Sequence, residues 1–100
     1  MRLPMDTSAN AFEQLLRGFL GRASAVIEAE MGAPFDLRVL DSIDLARQDE
    51  GLVGLENMCS NLDEYEVAVT DQERHALLSF ADAWNLGDRD RHLIESLASA

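Results

Sequence analysis

One hundred residues carrying 19 acidic and 8 basic side chains have a net charge of −11, and every basic residue is Arg. A chain of that length is one domain, able to bury somewhat more than ~60% of its unfolded surface, and 47% hydrophobic content with no long polar or Pro-rich run excludes disorder. The charge excludes DNA, RNA and anionic membranes as primary ligands, because there is no cationic footprint for them; a basic protein is the natural complement.

Periodicity predicts four to five short amphipathic helices, an all-α bundle spanning 1–100 as a single domain. The first is expected from about Ala11 to Met31, with Phe12, Leu15, Leu16, Phe19, Leu20, Ala23, Val26 and Ile27 on one apolar stripe. Asn10 and Glu13 have capping-box spacing. Gly18 and Gly21 interrupt the opposite face and mark a bend or a close neighbour. Gly32-Ala33-Pro34 stops this helix. The second is expected from about Leu37 to Gln48 behind Asp36 as cap, with Leu37, Leu40 and Ile43 inward and Asp41 and Leu45 outward. The third runs from about Glu50 to Glu64, burying Leu52, Leu55, Met58, Cys59 and Leu62. Residues 65–69 alternate apolar and polar, an extended connector too brief to carry a sheet. Thr70-Asp71-Gln72-Glu73 then combines a Thr cap, Glu at the third helical position and acid in the first turn, opening a helix that buries Leu77, Phe80, Ala81 and Trp84. Asn85-Leu86-Gly87 ends it, and Asp88 caps a last short helix carrying Leu93, Ile94 and Leu97.

Little in this pattern supports catalysis. His75 and His92 project onto polar faces and lack partners four residues away, so neither reads as a metal ligand. One cysteine, Cys59, cannot form an internal disulfide, and its place on an apolar stripe reads as an inert core thiol. There is no glycine-rich phosphate loop or nucleophile elbow, so no cofactor is expected. The opening Met-Arg-Leu-Pro-Met-Asp lacks the apolar core of a signal peptide, and no segment approaches the ~20 apolar residues that cross a bilayer. The expectation is a soluble cytoplasmic protein.

What does stand out is where the charge sits. Residues 36–73 hold eleven carboxylates against Arg38 and Arg47, a net −9, while each flanking stretch carries −1. Such a segment steers a cationic surface toward itself and repels nucleic acid. Asp41, Asp44, Asp49, Glu50, Glu56, Asp63, Glu64 and Glu66 are the candidate contacts. Leu45 and Tyr65, each set among acids, are candidate apolar anchors for a desolvated centre.

Two resemblances bear on function. Leu40-Asp41-Ser42-Ile43-Asp44 resembles the modification site of acyl carrier proteins, where the serine of Asp-Ser-Leu carries a phosphopantetheine arm. The continuation, Ala46-Arg47-Gln48, does not follow that pattern, and Ser42 falls inside the expected helix rather than at its start. An ordinary exposed serine is the simpler reading. The stretch Leu55-Glu56-Asn57-Met58-Cys59-Ser60-Asn61-Leu62-Asp63-Glu64-Tyr65 through Val69-Thr70-Asp71-Gln72-Glu73 resembles the signature of MafI-type immunity proteins. There a Leu-Glu-x-Leu-Cys-x-x-Leu helix leads through an acidic and aromatic turn and a short apolar link to a Ser or Thr cap and an acidic helix start. The likeness spans about 50–86; Gly51, Leu52 and Ala68 stand where the family favours an aromatic, a small residue and Pro. It implies a cytoplasmic, non-enzymatic protein that binds and neutralises a toxin domain encoded by the adjacent gene. Toxins of such systems are often nucleases with basic surfaces.

Overall fold

A computed structural model describes residues 7–100, so the reading of the opening residues as lacking a leader lies outside the described part. Among the described residues there are six helices: α1 (Ala9–Arg17), α2 (Ala25–Met31), α3 (Phe35–Arg47), α4 (Gly51–Glu64), α5 (Asp71–Ala83) and α6 (Asp88–Ser96). The all-α expectation is met, and the Cα radius of gyration of 12.9 Å matches a chain of this length.

The expected first helix is two helices. Ser8, not Asn10, caps α1, its hydroxyl accepting from the Ala11 N–H at 3.2 Å. After Arg17 the chain tightens through successive i→i−3 bonds (Gly18 to Leu15, Phe19 to Leu16, Leu20 to Arg17) and reaches Gly21 at φ 79°. Glycine adopts that left-handed geometry without a Cβ penalty. Ser24 then caps α2. The break is held from outside itself. Gly21 N–H donates to Asp36 Oδ1 at 2.8 Å, and Arg22 donates to Glu73 from both terminal guanidinium nitrogens. Phe19 is thereby turned into the core, while Val26, expected on the buried stripe, is 69% exposed.

The register of α3 also differs from expectation. The helix starts at Phe35 behind Pro34 at the cap, so Asp36 lies in its first turn and spends its carboxylate on Gly21. Phe35 is fully buried against Tyr65, ring centroids 5.2 Å apart, and this fixes the inward stripe as Phe35, Val39, Ser42, Ile43 and Ala46. Leu37, two positions and roughly 200° round the helix from Phe35, is turned out, and Leu40 with it. Opposite, α4 buries Gly54, Leu55, Met58, Cys59 and Leu62, but Leu52, expected inward, is exposed. α3 and α4 approach closely at Gly54: a Cβ there would stand 2.7 Å from the Ser42 carbonyl oxygen.

The connector reading holds. Val67 and Val69 are buried, and Val69 makes an isolated parallel bridge with the chain end, donating to the Ala98 carbonyl and accepting from the Ala100 N–H, both at 2.8 Å. The Thr70 capping box is complete, Thr70 Oγ1 accepting from Glu73 N–H and Glu73 Oε1 from Thr70 N–H. Gly87 rather than Asp88 occupies the cap of α6, with Asp88 in the first turn. Arg74 on α5 spreads its guanidinium over the carbonyls of Ile94, Glu95 and Leu97 and the Ser99 hydroxyl, satisfying the end of α6. Phe12, Phe80 and the half-buried Trp84 form one aromatic cluster with centroids 4.9–5.3 Å apart.

Candidate interaction surface

Most of the arginines are already committed within the chain. Glu13 is shared by Arg17 and Arg47, Arg22 pairs with Glu73, Arg91 with Asp82, and Arg74 is spent on backbone. Among the described residues, Asp41, Asp49, Glu50, Glu56, Asp63, Glu64 and Glu66 have no Arg in salt-bridge range, and Asp44 has only a 3.7 Å contact with Arg47. All are exposed except the half-buried Glu56. Asp44 apart, these carboxylates are therefore fixed on helices or tight turns without an internal ion pair, the arrangement that lets an incoming guanidinium replace water rather than a native partner.

The structure does not gather them into one patch. Helical phase divides α4: Asn57, Asn61 and Glu64 lie at intervals of four and three on the flank toward α3, whereas Glu56 and Asp63 lie on the other flank. Glu64 joins Asp41 and Arg38 of α3 along a groove of about 310 Å³ that also includes Met31, Ser42, Asn57, Ser60 and Asn61. Asp63 and Glu66 border a smaller depression, about 220 Å³, beside Val67 and Leu97. Asp49, in left-handed backbone at φ 61°, belongs to a third cleft with Gly51, Leu52 and Trp84.

Both expected anchors need correction. Tyr65 is 1% exposed and donates its hydroxyl to the Ala33 carbonyl at 2.8 Å, so it holds the α2–α3 turn and meets no partner. Leu45 is half-buried beside Gly54. On α3 the exposed apolar residues are instead Leu37 (55%) and Leu40 (40%), both of which the expected stripe had assigned to the core; Leu52 and Val53 of α4 are exposed as well. With Asp41 and Asp44 they occupy positions i, i+3, i+4 and i+7, a single outward face of α3 with leucines followed by carboxylates. The signal that could have found them was Phe35, the largest apolar residue nearby, whose burial sets the phase of the helix.

Ser42 was expected to be exposed and is fully buried. Its hydroxyl has no hydrogen-bond partner and lies in mid-helix, not at a helix start where a transferase could reach it. Cys59 is buried, and burial together with the Asp90 and Glu56 charges pushes its thiol up to about 12. Glu73 is partly desolvated, which would raise its pKa, but the hydrogen bonds from Arg22 and the Thr70 N–H outweigh that and hold it below the usual carboxylate value. His75 and His92 are exposed. Among the described residues no three His, Cys, Asp or Glu side chains are grouped to hold a metal ion, and no helix is long and apolar enough to cross a membrane. Compared with protein-family models, curated proteins and solved structures, the chain matches none of them.

Proposed function

We propose that this protein is an immunity protein that binds a cognate secreted toxin, with a basic nuclease domain as the expected target, and neutralises it in the cytoplasm without chemistry of its own. The supporting observation is the outward face of α3. Leu37 and Leu40 supply apolar area for a desolvated centre, and beside it stand Asp41, with no Arg in salt-bridge range, and Asp44, paired only at 3.7 Å with Arg47. Interfaces draw most of their affinity from a few such buried apolar anchors, while surrounding charges set orientation and encounter rate. Preformed helices lose little conformational entropy on binding, so more of the contact energy is retained as affinity. The resemblance of 50–86 to MafI-type immunity proteins supplies the class of partner; the charge distribution supplies its sign.

Co-expression with the toxin encoded by the adjacent gene tests the reading. Cells making both proteins should survive where cells making the toxin alone die. Equal killing in both cultures refutes it. The association rate should fall steeply with added salt, because steering between exposed charges is screened over a Debye length of about 8 Å at physiological ionic strength. A rate indifferent to salt removes the acidic face from the mechanism.

A further inference from the structure

The groove between α3 and α4 contains a feature that packing alone does not explain. Ser42 is completely buried, its hydroxyl is the one buried side-chain polar atom without a hydrogen-bond partner among the described residues, and Ser42 forms part of the groove wall. A buried hydroxyl without a partner is destabilising, and alanine would fill the same helical position without that cost. Around it two carboxylates stand against one arginine. Asp41 and Glu64 face the groove from opposite helices, and neither is in salt-bridge range of Arg38, although all three border the same space. Asn61 Nδ2 donates to the Asn57 carbonyl at 2.8 Å, which leaves Asn61 Oδ1 as an acceptor on a residue that lines the groove.

We infer that this groove is the seat for a guanidinium side chain of the partner, an arginine that enters between Asp41 and Glu64 with its tip toward Ser42. The inference rests on the immunity reading for the source of that arginine, but not for the chemistry of the seat. Two carboxylates against one arginine make the groove net negative. Acceptors on two helices suit a planar fork with five N–H donors better than an ammonium with three. The space, about 310 Å³, equals roughly ten waters at about 30 Å³ each, ample for one long side chain. The groove also adjoins the Leu37–Leu40 face through Asp41, which belongs to both, so one partner surface can place a leucine-contacting residue and an arginine side by side.

The test uses the whole protein and a probe in place of the partner. Nα-acetyl-arginine amide is titrated into the isotope-labelled chain and amide shifts are followed; the citrulline amide, a neutral isostere, serves as control. Saturable shifts confined to 38–42 and 57–64, with dissociation in the millimolar range and none from citrulline, are expected. Combining Asp41→Asn with Glu64→Gln, two exposed positions whose exchange leaves the fold intact, should weaken binding at least about tenfold, the loss of roughly 1.4 kcal/mol. Ser42→Ala should weaken it about threefold. Shifts of equal size at Glu50 and Glu66, an equal response to citrulline, or no saturable response overturns the seat. The co-expression result is separate: survival with an unresponsive groove keeps the function and discards the seat, and a responsive groove with dying cells does the reverse.

Discussion

Replacing Gly54 by Ala tests whether the close crossing of α3 and α4 organises the bundle. In an exposed helix interior that change would stabilise by about 1 kcal/mol, since Ala loses less backbone entropy than Gly. Here the new Cβ would stand 2.7 Å from the Ser42 carbonyl oxygen, 3.5 Å from Leu45 Cβ and 3.6 Å from the Phe12 ring. The closest neighbour is backbone inside a helix and cannot swing aside, so the two helices must separate. Overpacking of this kind costs about 1–3 kcal/mol, and steric strain is expected to exceed the propensity gain. A net loss of about 1–2 kcal/mol corresponds to a fall in Tm of roughly 5–15 °C for a domain of this size. Thermal and urea unfolding followed by far-ultraviolet circular dichroism measures it. Ser60→Ala, exposed on the same helix, is the control and should be neutral or slightly stabilising. A Gly54→Ala protein as stable as the parent would refute the crossing geometry and, with it, the shape of the groove.

Other outcomes follow from single residues. Cys59, with its thiol pushed up to about 12, should resist a disulfide reagent at pH 8 in the native state and react at once in denaturant; prompt native labelling contradicts its burial. Because Glu73 is held below the usual carboxylate range, its ion pair stabilises the fold above that range and the contribution disappears as pH falls through the lower native value. Glu73→Gln should therefore be less stable than the parent at neutral pH, and the difference should close in acid; a constant gap across the acid range speaks against the Arg22 pair. Leu37→Glu and Leu40→Glu should leave stability within about 0.5 kcal/mol, since both side chains are exposed, yet abolish protection in the co-expression assay. Full protection by the double variant would move the docking face elsewhere.

The half of the chain that was legible in sequence is the half organised by neighbours in sequence. Thr70 and Glu73 close a capping box within one turn, and Leu55, Met58, Cys59, Leu62, Leu77, Phe80 and Ala81 lie where their spacing puts them. The remainder is set by contacts far along the chain. Nothing near Gly21 announces that Asp36 will accept its N–H or that Arg22 will dock on Glu73, and without those contacts the apolar stripe from Phe12 to Ile27 reads as one helix. In α3 two stripes compete, one of leucines and one containing a serine and an alanine. The second wins because small side chains let α4 approach at Gly54 and because Phe35 must be covered by Tyr65. The same choice decides the candidate surface. It withdraws Tyr65, whose hydroxyl partner lies 32 residues away, and delivers Leu37 and Leu40 to solvent.

α2 buries no residue of its own; Ile27 leans on the core, and Glu28 reaches across to the Phe35 N–H at 2.7 Å. So little anchorage means that its amides should exchange with deuterium through local opening long before the molecule unfolds as a whole. The α5–α6 pair, zipped at its far end by the Val69 bridge and the Arg74 fan, should keep its protons until global unfolding. Mass spectrometry of quenched samples would then see two populations of peptides separated in time, and a ligand that slows only the early one must be touching the α2 edge.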